Sequence, residues 1–157
     1  MFNITPVVSP HPSDCGATCL KMLLSYYDIE ADLTELTKEC NTTIVGCSAK
    51  DLLAAGRNHG LDMKPYKMDA DEVVRQDRPS IVWWKHNHFV ICCGCDSEGK
   101  VVIINPDLGQ YRMTLGTFES FYSEIALFNG EPVDIVESTD ASSADYIEAL
   151  QMLGVGV

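Results

Sequence analysis

Cys15 stands at a predicted helix start, directly after Ser13 and Asp14, two residue types that favour helix N-caps. The unpaired N–H groups and dipole of a helix start favour a thiolate, the form of cysteine that attacks carbonyl carbon. Gly16, next to it, lets backbone or substrate approach closely. Such a thiol needs a base. His88 follows Trp83-Trp84-Lys85-His86-Asn87 and opens the apolar run Phe89-Val90-Ile91, a strand end able to face a cleft. Asn105 ends the next strand, beyond the tight turn Asp96-Ser97-Glu98-Gly99. About six residues out and four back across that turn bring Asn105 beside His88. An amide there can hold the imidazole in the tautomer that offers a free nitrogen to Cys15. Cys15 is then expected to be alkylated ahead of the other six thiols. Singly, each residue is as readily a buried cysteine, a satisfied histidine or a turn asparagine; the combination carries the reading.

The elements that position these residues follow from periodicity. Leu20, Leu23, Leu24 and Tyr27 recur at helical spacing, so a helix runs from Cys15 to about Tyr27. A second helix opens at Asp32-Leu33-Thr34 and ends near Cys40, and a third is capped by Ser48 and stopped by Gly60. Residues 70–76 give one more helical turn. Strands then take over: 80–84, 88–93, 101–104, one starting at Tyr111-Arg112-Met113, and 125–128, with a short helix over 118–122. Of Trp83 and Trp84, one is expected in the core and one on a cleft wall. His86 is expected on the same strand face as His88. Helices first and strands after give an α+β domain with a mostly antiparallel sheet.

Cysteine, histidine and asparagine in this chain order form the papain arrangement. The stretch Asp14-Cys15-Gly16-Ala17-Thr18-Cys19-Leu20-Lys21-Met22-Leu23-Leu24 resembles the catalytic helix of the bacteriocin-processing peptidase domains of peptidase-containing ABC transporters. Gly46 to Leu61 is similar to their third-helix segment. Trp84, Asn87-His88-Phe89-Val90, Asn105-Pro106 through Gly109, and Phe118 to Phe128 resemble the remaining motifs, so the likeness spans about residues 5–130 in order. It implies a papain-like cysteine peptidase fold, with N-terminal helices packed on the sheet, Cys15 as nucleophile and His88 as general base. It also implies cleavage of leader peptides after Gly-Gly or Gly-Ala. Two positions depart from the family pattern. The family has Asp where Asn105 stands, which leaves Asn105 and, less favoured, Asp107 as the third member. It has Gln, a donor to the oxyanion, where this chain has Ser9. Ser9 could donate through its hydroxyl, His11 could take its place, or the Cys15 amide could act alone. A leader-binding module without catalysis and a thiol-ester-forming acyltransferase are the competing readings.

Composition sets the bounds. Hydrophobic residues are 46% of 157, enough for a core in one domain. No run approaches a membrane span and no secretory signal opens the chain, which predicts a soluble, cytosolic domain or the cytosolic domain of a transporter. Seven cysteines, an odd number, fit free thiols better than a disulfide framework, and Cys92-Cys93-x-Cys95 is not a zinc spacing. No cofactor or metal is called for. The net charge of −12 argues against nucleic acid. By resemblance the partners are a precursor peptide with an amphipathic leader helix and the membrane part of an ABC transporter. From Glu131 onward there are six acids and no Lys or Arg, against 17 acids and 11 bases before it. The expected division is therefore a peptidase domain over 1–130 and an acidic tail or linker helix over 131–157, with Asp145 to Leu153 amphipathic.

Overall fold

Apolar residues at positions 20, 23 and 24 place a continuous stripe on α1, Cys15–Tyr26, and all three leucines are fully buried. Each contributes roughly 1.5–3 kcal/mol on the usual scale for a buried aliphatic side chain. In this computed structural model, which describes residues 1–133 and the backbone of 139–140, α1 lies against the centre of the sheet. The expected caps differ in detail. A 3₁₀ turn, Pro12–Asp14, runs straight into α1, and Asp14 makes no side-chain capping bond. Asp32 and Ser48 do cap α2, Leu33–Glu39, and α3, Ala49–Asn58, accepting from the backbone N–H of Glu35 and Asp51. Gly60, at φ +102°, ends α3 in a conformation that other residues rarely adopt.

Among the described residues, seven strands form one antiparallel sheet: β1 Met63–Lys67, β2 Ser80–Trp84, β3 His88–Cys95, β4 Val101–Asn105, β5 Gly109–Met113, β6 Tyr122–Asn129 and β7 Thr139–Asp140. Their order is β5-β4-β3-β2-β6-β1-β7. The central strands β2, β3 and β4 are almost wholly buried, because both faces are covered. On one face Trp83, Phe89 and Ile91 pack with the leucines of α1 and α3. On the other, Trp84, Val90 and Ile103 pack with Val73 of α4, Ala70–Val74, and Phe118 of α5, Leu115–Phe121. The sheet is therefore helix-covered on both sides, where the sequence placed only the N-terminal helices against it.

Two strands escape the sequence reading. Pro65 obscures β1, yet it sits beyond the β7 pairing, which reaches only Tyr66 and Lys67, so its missing N–H costs no bond on that side. β7 comes from the stretch assigned to the acidic tail. The amphipathic helix proposed for 145–153 lies outside the described residues.

Candidate active site

His88 is the first residue of β3, opposite Trp84 across the β2–β3 hairpin. The turn that delivers it is tightly held. Lys85 donates its backbone N–H to Phe121, His86 to the Ser123 hydroxyl, and Asn87 to the Trp84 carbonyl. Lys85 and His86 both take positive φ, 54° and 59°. His86 therefore belongs to the turn, exposed, and does not share a strand face with His88 as the alternation suggested.

Asn105 closes β4, and the β3–β4 pairing brings its Oδ1 to 2.9 Å from His88 Nε2. The same Oδ1 accepts the backbone N–H of Asp107 at 2.9 Å. Because that N–H can only donate, the amide oxygen must face it, and therefore also faces the imidazole. His88 Nε2 is then the protonated nitrogen, which leaves Nδ1 with its lone pair. Asp107 Oδ2 lies 3.6 Å from the same Nε2, too long for a hydrogen bond but close enough to act as a charge. Both loop residues face the histidine. Asn105 is buried and fixes direction, while the Asp107 side chain is 43% exposed and its charge is solvent-screened.

Cys15 opens α1, and its thiol interacts with the backbone of Phe89, the residue after His88, and of Gly16. The close approach depends on Gly16. A Cβ there would stand 2.5 Å from Cys47 Sγ and 3.5 Å from the Phe89 ring. The side chain of Cys15 is fully buried, and burial pushes its thiol up to about 12. The Phe89 and Gly16 backbones pull the other way, and the carboxylates of Asp107 and Asp14 add to the rise. Local helix-start electrostatics is therefore outweighed by desolvation, and the resting sulfur is a thiol.

The reactivity expected from the sequence changes accordingly. At neutral pH iodoacetamide should modify Cys95, the one cysteine that is not fully buried, before Cys15. The Cys15 rate should then climb about tenfold per pH unit from neutral towards pH 10, since its thiolate fraction does so below the raised pKa. Peptide mapping that finds Cys15 modified first, at a rate flat across that range, would mean a preformed thiolate instead.

Ser9 is carried by an extended N-terminal segment tied to the site loop, its N–H donating to the Pro106 carbonyl at 2.7 Å. Its hydroxyl donates to Thr18 Oγ1 at 3.0 Å. That proton is thus engaged on α1, one turn beyond Cys15. His11 is exposed. Thr18 is fully buried and finds its partner in Ser9; the signal for it in the sequence is a polar residue set among the apolar positions of α1.

Beyond His88, on the side of the Asn105 loop, is a cavity of about 570 Å³. Trp84, Leu108, Tyr111, Met113 and Phe121 form its apolar walls, with Lys85 and Asp107 at polar positions. The Lys85 ammonium sits 4.6 Å from the centre of the Phe121 ring. Both tryptophans are buried, Trp83 among the residues under α1, and Trp84 is the one that reaches the cavity.

A family model described as the peptidase C39 family matches residues 4–132. The lactococcin transport/processing ATP-binding protein LcnC-like of Lactococcus lactis subsp. lactis (strain IL1403) is 32% identical over 124 residues. That alignment takes in 73% of this chain and only 17% of the relative. Among solved structures, a double glycine motif protease from an AMS/PCAT transporter, in complex with the leader peptide, superposes with a TM-score of 0.77 at 26% identity, covering 81% of this chain and 91% of that one. The peptidase domain of Streptococcus ComA, a bifunctional ABC transporter, gives 0.71 at 20% identity, covering 82% and 97%, and bears on the fold alone.

Proposed function

The chain belongs to the peptidase C39 family and is a cysteine peptidase by that membership; from this premise we propose that it removes leader peptides by cutting after a Gly-Gly or Gly-Ala motif. The observation that carries the proposal is the shared acceptor Asn105 Oδ1, which leaves His88 with a free Nδ1 on the strand that also contacts Cys15.

Cys15 is the nucleophile. Its thiol is protonated at rest, so His88 Nδ1 takes the proton as sulfur bonds to the scissile carbonyl carbon. The imidazolium so formed is held by Asn105 through Nε2–H and favoured by the Asp107 charge. It then protonates the departing amine, and water resolves the thiol ester. With the Ser9 hydroxyl committed to Thr18, the oxyanion is left to the Cys15 backbone amide. Loss of one donor costs about 10²–10³ in rate, so slow turnover is the expected consequence. Small residues before the cut suit a nucleophile sunk this deeply.

The carrier of the substrate is proposed on the same footing: a precursor whose amphipathic leader helix docks on the domain, delivered in the setting of an ABC transporter. The peptidase unit is proposed over residues 1–130 and an acidic tail over 131–157, from which Thr139–Asp140 returns to the sheet as the edge strand β7. Among the described residues no helix is long and apolar enough to cross a membrane. Incubation with a panel of double-glycine precursors, read by mass spectrometry, should yield a leader ending at the second small residue. A precursor bound tightly and left intact would instead make the chain a binding module. Product appearing only when an amine is supplied would make it an acyltransferase.

A further inference from the structure

The cavity beside His88 has no place in the cleavage steps above, and its position relative to the histidine says what could enter it. We infer that it receives an apolar side chain from the first two residues after the cut, so that the start of the released peptide is selected here. This rests on the peptidase reading.

A histidine that serves a cysteine nucleophile gives its proton to the departing amine. The part of the substrate beyond the scissile bond must therefore leave past the imidazole, while the leader side lies across Cys15. The cavity is on the departing side. His88 and its orienting residues Asn105 and Asp107 line it, as do the hairpin residues Trp84 and Lys85. No residue of α1 does so, and the Cys15 side contributes only Pro12.

The walls define the ligand. Trp84, Tyr111, Met113 and Phe121 offer aromatic and thioether surface, and Leu108, 75% exposed, stands at the mouth with no cover of its own. Tyr111 and Met113 share the inward face of β5, from which Gln110 and Arg112 turn away. Lys85 is drawn over Phe121, and its stem adds to the apolar lining. A leucine, methionine or phenylalanine side chain gains from such surroundings, whereas glycine fills nothing.

The test compares double-glycine precursors that differ only in the first two residues after the cut, assayed with the unaltered protein. Leucine or phenylalanine at one of the two positions should raise kcat/KM about tenfold over glycine at both, the scale on which an apolar pocket discriminates. In Tyr111→Ala and Phe121→Ala that ratio should shrink to about twofold, with melting curves confirming that each variant is folded. Cleavage of all precursors at equal rates by the unaltered protein overturns this inference and leaves the peptidase reading intact. No cleavage of any precursor overturns both.

Discussion

Replacing Cys15 with alanine should leave a folded protein that cleaves a double-glycine precursor at least about 10⁴-fold more slowly, with precursor binding retained. The side chain is fully buried, so its loss removes one sulfur from a packed site, a small effect on folding beside the effect on chemistry. His88→Ala should cost a similar factor, because a thiol pushed up to about 12 has almost no thiolate at neutral pH without a base to take the proton. The double variant should be no slower than either single one, since nucleophile and base act in one step. Single-turnover rates measured on all three variants check this. A Cys15→Ala protein that still cuts at a comparable rate would remove Cys15 from the mechanism.

Asn105→Ala should slow cleavage by about 10²-fold, because His88 loses the partner that fixes its tautomer. The Asp107 N–H loses its acceptor at the same time, so the loop loosens as well. Asp107→Ala should cost less than about tenfold, since its carboxylate is 3.6 Å away and half in water. Asn105→Asp should stay within about tenfold of the unaltered protein and shift the pH profile. A carboxylate 2.9 Å from Nε2 favours the imidazolium, so the neutral base becomes available only at higher pH. The rising, acid-side limb of kcat/KM should move up accordingly. Should Asp107→Ala abolish activity while Asn105→Ala leaves it whole, the two residues have exchanged roles.

Local signals were legible where local physics decides. The Asp32 and Ser48 caps, the Gly60 stop and the hairpin at 96–99 were all readable, because each is settled by residues within one turn. The His88–Asn105 contact was readable too, since a tight hairpin makes strand length a ruler. What escaped depends on distant partners. The helix start favours an acidic Cys15, yet burial under the sheet outweighs it, with Asp107 adding to the rise and the Phe89 backbone opposing it. Ser9 was considered as a donor to the site, and only folding shows Thr18 claiming its hydroxyl. β1 was hidden by Pro65 and by lysines at 64 and 67, and it exists because β6 pairs along its whole length. Tyr111, Met113 and Phe121 gave no hint of a shared cavity, since no local rule links β5 with α5.

The hairpin before His88 has a consequence for stability. Successive turn positions with positive φ favour residues such as Asn and Gly, and the three-residue loop 85–87 places Lys85 and His86 there. Left-handed backbone costs a side-chain-bearing residue about 1–2 kcal/mol, so the pair raises the energy of the native state by a few kcal/mol. In a protein whose total margin is of the order of 10 kcal/mol, that is a substantial share. The fold carries it at the residues that aim the base and wall the neighbouring cavity. Thermostability and activity are thereby coupled at one turn: substitutions that relax this backbone would harden the domain against heat while freeing the strand end that holds His88 in line.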